Sequence, residues 1–266
     1  METLPHKRLD AYLGRIGADR SAPADEALRE LQTRHLRTVP FENLSIHLGE
    51  DVSLDVPEIL RKLVDRRRGG FCFELNGAFA ALLHTLGYEV ELLQARVYDR
   101  EGRLGIPYDH LALRVRVPGG DGRAWLADVG FGDHSHHPLD LDGRDDQKDP
   151  AGVFRFVESG ADGDLDLLRD GRPRLRLEPR PRALSDFAAA SWWHRTSPES
   201  RFTHAPVCSL LTARGRVTLS GRRLVVTEDG ERTESEPHDD RDLLAVYRDR
   251  FGVHLDRVPV ALHPRG

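Results

Sequence analysis

Cys72 stands in the run RRRGGFCFELNG, directly after Gly69-Gly70 and where a helical hydrophobic pattern begins. Free backbone N–H groups and the positive end of the helix dipole at such a position stabilise a thiolate. Arg66, Arg67 and Arg68, just upstream, are expected to add to that field. A thiolate used as a nucleophile also needs a proton acceptor. Among thirteen histidines, His110 opens the apolar strand pattern HLALRVRV, from which its ring can lean over a neighbouring element. Asp128 lies between apolar residues in WLADVGFG. A carboxylate in such surroundings needs a partner, and an imidazole N–H is suited to it. The turn at 118–122 (PGGDG) separates the two segments, so an antiparallel hairpin brings them together. Its length leaves the register open, and the reading adopted puts both side chains on one face. Cysteine, histidine and aspartate in that order supply a nucleophile, a base and an orienter for acyl transfer. The thiol and imidazole are then expected as a thiolate–imidazolium pair with a depressed thiol pKa.

The elements that must position these residues change character along the chain. Residues 1–86 read as helical: Leu9, Tyr12, Leu13 and Ile16 recur at helical spacing, and Leu28, Leu31 and Leu36 repeat the pattern up to Pro40. Pro57 suits the first position of a third helix, and an amphipathic fourth helix runs from Phe71 to Leu86, closed by Gly87. From about 88 the hydrophobic period becomes two, with strands expected near 90–97, 111–117, 124–129, 153–158, 164–169 and 174–178. The acidic stretch 140–150 (DLDGRDDQKDP) reads as a mobile, solvated loop. Beyond Leu184 come a Trp192-Trp193 segment, strands near 206–213, 216–220 and 223–227, and a final helix from Asp240 to Phe251. Cys208 falls in an apolar strand as a small buried residue.

Composition narrows the function classes. The 266 residues include 39 Lys and Arg against 44 Asp and Glu, a net charge of −5 that argues against nucleic-acid binding. No polybasic tail, signal-peptide pattern or long apolar run is present in the sequence, so no membrane partner is read and a cytoplasmic protein is expected. Two cysteines are too few for a disulfide framework or a thiolate-rich zinc site. Neither GxxxxGKS nor a GxGxxG after a strand occurs, so phosphates have no dedicated glycine cradle.

The segments RRGGFCFELNG, DHLALRV, WLADVGFG and VPFENLSIH together resemble the signature segments of arylamine N-acetyltransferases, and WWHRTSPESRF resembles the start of that family's third domain more loosely. The resemblance implies an α+β fold with a papain-like Cys-His-Asp core. An N-terminal helical bundle (1–87) would be followed by a β-barrel domain (88–188) and a C-terminal α/β lid (189–266). It implies acetyl-CoA as acyl donor, an arylamine or hydrazine as small-molecule acceptor, no metal, and a monomer or homodimer. Carried over by position, Cys72 becomes the acetylated nucleophile, His110 the base and then the acid, and Asp128 the orienter. Phe41, Phe73, Val97, Phe131 and Phe202 would line the acceptor pocket, and Gly130 and Gly132 would lie near the pantetheine path. Glu42 and Asn43 are expected to reach back to Arg68 or the cysteine loop as a buttress. Two features depart from the pattern: Asp109 replaces the threonine of many members, and 133–137 (DHSHH) is histidine-rich, read as a surface loop rather than a metal site. Competing readings are an amide synthase of the same family that closes a macrolactam, a cysteine hydrolase or transglutaminase-like enzyme, and a scaffold with an inert triad.

Overall fold

The computed structural model describes residues 3–160 and 162–264. The N-terminal part is helical: α1 His6–Ile16, α2 Asp25–Thr38, a two-residue strand β1 Phe41–Glu42, α3 Leu44–Leu48, α4 Val56–Leu60 and α5 Cys72–Thr85. Helix α1 buries the expected stripe Leu9, Tyr12, Leu13 and Ile16. Helix α4 starts one residue earlier than the proline rule suggests. Asp55 caps it by accepting the Glu58 N–H at 3.2 Å, so Pro57 occupies the second position, and the helix then widens into a π-turn over Arg61–Asp65. Helix α5 is not the amphipathic helix expected. Every residue from Cys72 to Leu83 is buried, because α1 and α4 pack on one side of it and the sheet on the other.

An eight-stranded antiparallel sheet follows, built from β2 Glu89–Val97, β3 His110–Arg116, β4 Ala124–Ala127, β5 Leu139–Asp140, β6 Gln147–Asp149, β7 Gly152–Ser159, β8 Asp164–Arg169 and β9 Arg172–Arg182. Its spatial order is β5-β4-β3-β2-β9-β8-β7-β6. The two edges approach each other, and a side chain completes what backbone pairing does not. Asp140 N–H donates to Gln147 Oε1 at 2.7 Å, and Gln147 Nε2 donates to the Asp140 carbonyl at 2.8 Å. The sheet is thereby nearly closed into a barrel, which leaves little open edge. This corrects the reading of 140–150 as a mobile loop: the stretch carries the end of β5, all of β6 and the amide link between them. The barrel interior holds Leu93, Ala112, Leu126, Phe154, Phe156 and Leu167, while Leu111, Leu113, Val115 and Ala127 on the opposite face pack with the helices.

Helix α6 Ala188–Thr196 leads to a second antiparallel sheet made of β10 Val207–Leu211, β11 Gly215–Ser220, β12 Arg223–Glu228 and β13 Glu231–Ser235, followed by α7 Asp240–Phe251. Strand β13 has no counterpart in the sequence reading because all five of its residues are exposed and polar, so no alternation marks it. Strand β1 pairs with β10, with Phe41 opposite Ser209, so the N-terminal part supplies the edge of the C-terminal sheet. Leu44 and Leu48 of α3 share a core with Cys208, Leu219, Tyr247 and Phe251. No described helix is long and apolar enough to cross a membrane.

Candidate active site

Cys72 is the first residue of α5. Glu74, in the helix's first turn, accepts the Phe71 N–H at 3.2 Å and is paired with Lys62 Nζ at 2.7 Å, which anchors this helix end. The preceding Gly69 is dictated by crowding, since a Cβ there would stand 1.9 Å from the Pro40 carbonyl oxygen. That approach lets Phe41 bridge to Gly70 and lets Arg68 reach Glu42, with Nε to Oε1 at 3.0 Å. Glu42 is therefore the expected buttress. Asn43 is not: its Nδ2 donates to the carbonyls of Phe202 and Ala205, both at 2.9 Å, and so ties β1 to the C-terminal part.

The hairpin β3–β4 pairs Leu113 with Ala127 and Arg116 with Ala124, and regular alternation from that register sets His110 and Asp128 on one side. His110 Nε2 lies 2.6 Å from Asp128 Oδ2, with both residues buried. Asp128 Oδ1 accepts two further bonds, from Asn76 Nδ2 and from Gly130 N–H, each at 2.8 Å. The orientation of Asn76 is fixed by backbone groups, because Nδ2 also donates to the Leu111 carbonyl at 2.6 Å while Oδ1 accepts the Val129 N–H at 2.9 Å. Gly130 is required by proximity, since a Cβ there would lie 2.7 Å from Cys72 Cα. His110 and Asp128 are thus paired close to the start of α5, with Asn76 binding the β3 start and the Asp128 loop to that helix.

Electrostatics shape this cluster. Burial would lower the His110 pKa, but the charge and hydrogen bond of Asp128 outweigh it and raise the imidazole to about 10. Burial likewise opposes ionisation of Asp128, yet His110 holds its carboxyl below the ordinary value. Burial pushes the Cys72 thiol up; the hydrogen bond and charge of His110 draw it back, and the Asp109 carboxylate adds to the rise. The net direction is upward, opposite to the depressed thiol expected from sequence. The arginines do not help as expected, because Arg68 is engaged by Glu42 and Glu50 (3.2 Å), while Arg66 and Arg67 are exposed. His110 is therefore the cation that counters burial at the sulfur.

The remaining expected site residues are distributed unevenly. Phe131 packs edge-on to His110 with centroids 5.2 Å apart. Phe41 and Phe202 face each other at 6.1 Å and are half-buried, and a Cβ at Gly132 would meet the Phe41 ring at 3.4 Å. Val97 contributes a backbone N–H to Asp109 Oδ2 at 3.0 Å. Phe73 is fully buried among Phe71, Phe187 and His194, so it offers no surface to a ligand here. Asp109 faces a residue that sequence reasoning missed. His194 Nε2, from α6, lies 3.1 Å from the Asp109 carbonyl oxygen and 3.2 Å from Oδ1. The same carbonyl stands 4.0 Å from Cys72 Sγ. The only signal for His194 was its place in WWHRTSPESRF, without a partner to point to. Tyr108, just before this segment, holds a left-handed backbone (φ 60), with its N–H on Gln94 Oε1 at 2.9 Å and its ring against Phe187. The histidine-rich 133–137 segment is not simply a surface loop: His134 and Ser135 are buried, and the His134 ring lies between Phe131 and Phe154. Among the described residues, no group of three or more His, Cys, Asp or Glu is placed to hold a metal ion.

A buried thiol at a helix start, its sulfur 4.0 Å from the carbonyl of Asp109 and so next in the chain to a histidine whose Nε2 is held by a carboxylate, suits nucleophilic acyl transfer. Comparison with known proteins agrees with acyl transfer. A family model described as N-acetyltransferase matches residues 26–260. Arylamine N-acetyltransferase of Mycolicibacterium smegmatis is 35% identical over 93% of this chain and 92% of its own length. Human arylamine N-acetyltransferase 1 is 31% identical over 96% of this chain and 97% of its own. Among solved structures, the M. smegmatis arylamine N-acetyltransferase superposes with a TM-score of 0.86 at 34% identity, covering 96% of this chain and 97% of that one. The Mycobacterium marinum enzyme in complex with CoA gives 0.84 at 31% identity, covering 92% of each. The chain belongs to the arylamine N-acetyltransferase family and is an acyltransferase.

Proposed function

We propose that the protein transfers an acetyl group from acetyl-CoA to the nitrogen of an arylamine or arylhydrazine in two half-reactions, through a thioester on Cys72. The observation that carries this reading is the 2.6 Å contact of His110 Nε2 with Asp128, which leaves the other ring nitrogen to serve the Cys72 thiol. In the first half-reaction, the Cys72 sulfur, its proton already resting on the His110 imidazolium, attacks the acetyl carbonyl. The carbon–sulfur bond to CoA breaks, and the imidazolium returns a proton to the departing CoA sulfur. In the second, the acceptor nitrogen attacks the acetyl-cysteine and its proton passes to His110. The thioester bond to Cys72 then breaks, and the proton stays on His110 beside the released thiolate. Exchange between two thioesters is close to isoenergetic, so the protein's tasks are deprotonation, orientation and exclusion of water. An arylamine is weakly basic and keeps a free electron pair at neutral pH, which fits an acceptor that needs no deprotonation before attack.

Asp128 raises the basicity of His110 and fixes its tautomer, while Phe41, Phe131 and Phe202 supply the half-exposed aromatic surface for a planar acceptor. Under this reading the chain divides into a helical part (1–87), a barrel part (88–188) and a lid part (189–266). The test is steady-state kinetics with acetyl-CoA and an arylamine both varied. Parallel double-reciprocal lines are expected, and intersecting lines would show a ternary complex and remove the acetyl-enzyme from the scheme.

A further inference from the structure

Three guanidinium groups converge on Asp133, two on its exposed carboxylate and one on its backbone carbonyl, beside the Gly130–Gly132 loop. Arg169 of β8 places Nη1 3.2 Å from Asp133 Oδ1, and Arg216 of β11 places Nε 3.8 Å from the same oxygen. Arg174 of β9 donates from Nη2 to the Asp133 carbonyl at 3.4 Å. The other contacts are few. Arg169 Nε is 3.8 Å from Asp170 Oδ2, on an exposed side chain, and Arg216 Nη1 meets Ser209 Oγ at 3.3 Å. Arg174 Nε is buried with no hydrogen-bond partner. The arginines come from both sheets, so they line a seam between the barrel and the C-terminal sheet. They are half-buried, whereas the Asp133 side chain is 61% exposed.

Such a cluster is under-neutralised. Three positive charges face one carboxylate, with a second carboxylate reaching only the outer edge of Arg169. Burial draws the Arg174 and Arg216 guanidiniums down from their ordinary value; the Asp133 charge opposes this, and the charge of Arg169 adds to the fall. Like charges held together in a partly dry seam lower one another's stability unless an anion joins them. Arg174 lies over the Phe131 ring at 5.5 Å, and the opposite neighbour of that ring is His110 at 5.2 Å. The charged seam therefore opens one aromatic ring away from the reacting sulfur's partner.

We infer that Arg169, Arg174 and Arg216 form a subsite for a phosphate dianion, and that in the proposed reaction it receives a phosphate of the acetyl-CoA donor. This rests on the acetyl-CoA reading for the identity of the donor, but not for the existence of the anion site. The fixed surplus charge matches a dianion, guanidinium forks suit phosphate oxygens, and the unpartnered Arg174 Nε is a free donor within the seam. Asp133 acts as an internal competitor that occupies part of the cluster when no anion is bound.

The test compares CoA with pantetheine, which keeps the thiol arm but lacks every phosphate, by calorimetric binding to the full chain. No turnover is needed, so a failure of Cys72 to carry an acetyl group leaves this measurement intact. The Arg174→Gln and Arg216→Gln proteins are expected to lower the preference for CoA over pantetheine about tenfold each, the scale of one charge-assisted hydrogen bond. Asp133→Asn, a change at an exposed side chain, is expected to raise that preference several-fold by removing the competitor. On the unaltered protein, inorganic pyrophosphate is expected to compete with CoA but not with pantetheine. A preference within twofold of the starting protein in all three variants, or a loss in Asp133→Asn, overturns the subsite. If pyrophosphate binding depends on the arginines but does not compete with CoA, the anion is not the donor's and the assignment to it is wrong.

Discussion

Asp128→Asn keeps the side-chain volume and removes one charge, and the surrounding donors dictate how the new amide must sit. Asn76 Nδ2 and the Gly130 N–H both donate to Oδ1, at 2.8 Å each, so the amide oxygen has to stay there. The amide NH2 is then forced towards His110 Nε2, which now lies 2.6 Å from a carboxylate oxygen. An N–H facing that nitrogen makes Nε2 an acceptor and moves the ring proton to Nδ1, the nitrogen that serves Cys72 in the proposed mechanism. The base is thereby blocked on its working side. The imidazole, raised to about 10 beside Asp128, is also left with burial as its main influence and falls below its ordinary 6.5. Loss of general-base help corresponds to a fall of about 10²–10⁴-fold in acylation by acetyl-CoA. Breaking a buried pair costs about 3–5 kcal/mol, equivalent to roughly 10 °C in melting temperature at this chain length. The sign with pH follows from the two shifts. The His110 contribution is complete below 6.5 and disappears as pH rises through about 10. The Asp128 contribution is present above its ordinary 3.8 and disappears as pH falls through its lowered folded value. The stability gap between the two proteins should therefore be widest near pH 5–6 and close on the alkaline side. Single-turnover acylation followed by rapid-quench mass spectrometry, with melting curves across pH, reads both effects. A variant that acylates within threefold of the parent while folded would refute the proton-transfer geometry.

Other expectations follow from the same contacts. Asp109→Asn removes a carboxylate that raises the Cys72 thiol, so the pH profile of iodoacetamide inactivation should move to lower pH, whereas His110→Ala should move it to higher pH; an unmoved profile in both contradicts the assigned environment. Gly130→Ala drives a methyl group against Cys72 Cα, for a stability loss of about 1–3 kcal/mol and a slower acylation; unchanged melting and rate would contradict the close approach. His35 is buried with Nε2 on the Tyr12 hydroxyl at 2.9 Å and Nδ1 unpartnered, and burial lowers its pKa to about 3. Its folded pKa lies below the unfolded one, so its contribution is complete above 6.5 and drains as pH falls, by roughly 3 kcal/mol near pH 4.5. Denaturant titrations of His35→Asn should show an acid slope of stability smaller by about one proton, and an equal slope in both proteins excludes His35 as a source.

The candidate catalytic residues were legible because their types are rare in their settings. A cysteine after two glycines, a histidine opening an apolar strand and an aspartate inside another each violate a local expectation, and the hairpin between the latter two is written in its turn. Their supports were not legible. Asn76 and Glu74 look like ordinary polar residues of a helix, and only the packing of α5 against β3 shows that one holds the Asp128 loop and the other holds the helix start. His194 meets Asp109 across 85 residues, a contact that no local pattern encodes. Barrel closure depends on the Gln147 amide bonding Asp140 over seven residues within a stretch whose acidity suggested solvent. The N-terminal helices followed their hydrophobic period well, since one face of each meets the core. Helix α5, covered on all sides, did not.

Intact-protein mass spectrometry after brief mixing with acetyl-CoA decides whether Cys72 carries the acetyl group. One added acetyl group is expected on the parent and on Cys208→Ala, no adduct on Cys72→Ala, and release of the group when an arylamine is added. An adduct that persists in folded Cys72→Ala, or an acetyl-enzyme that arylamines do not discharge, would contradict that role of Cys72.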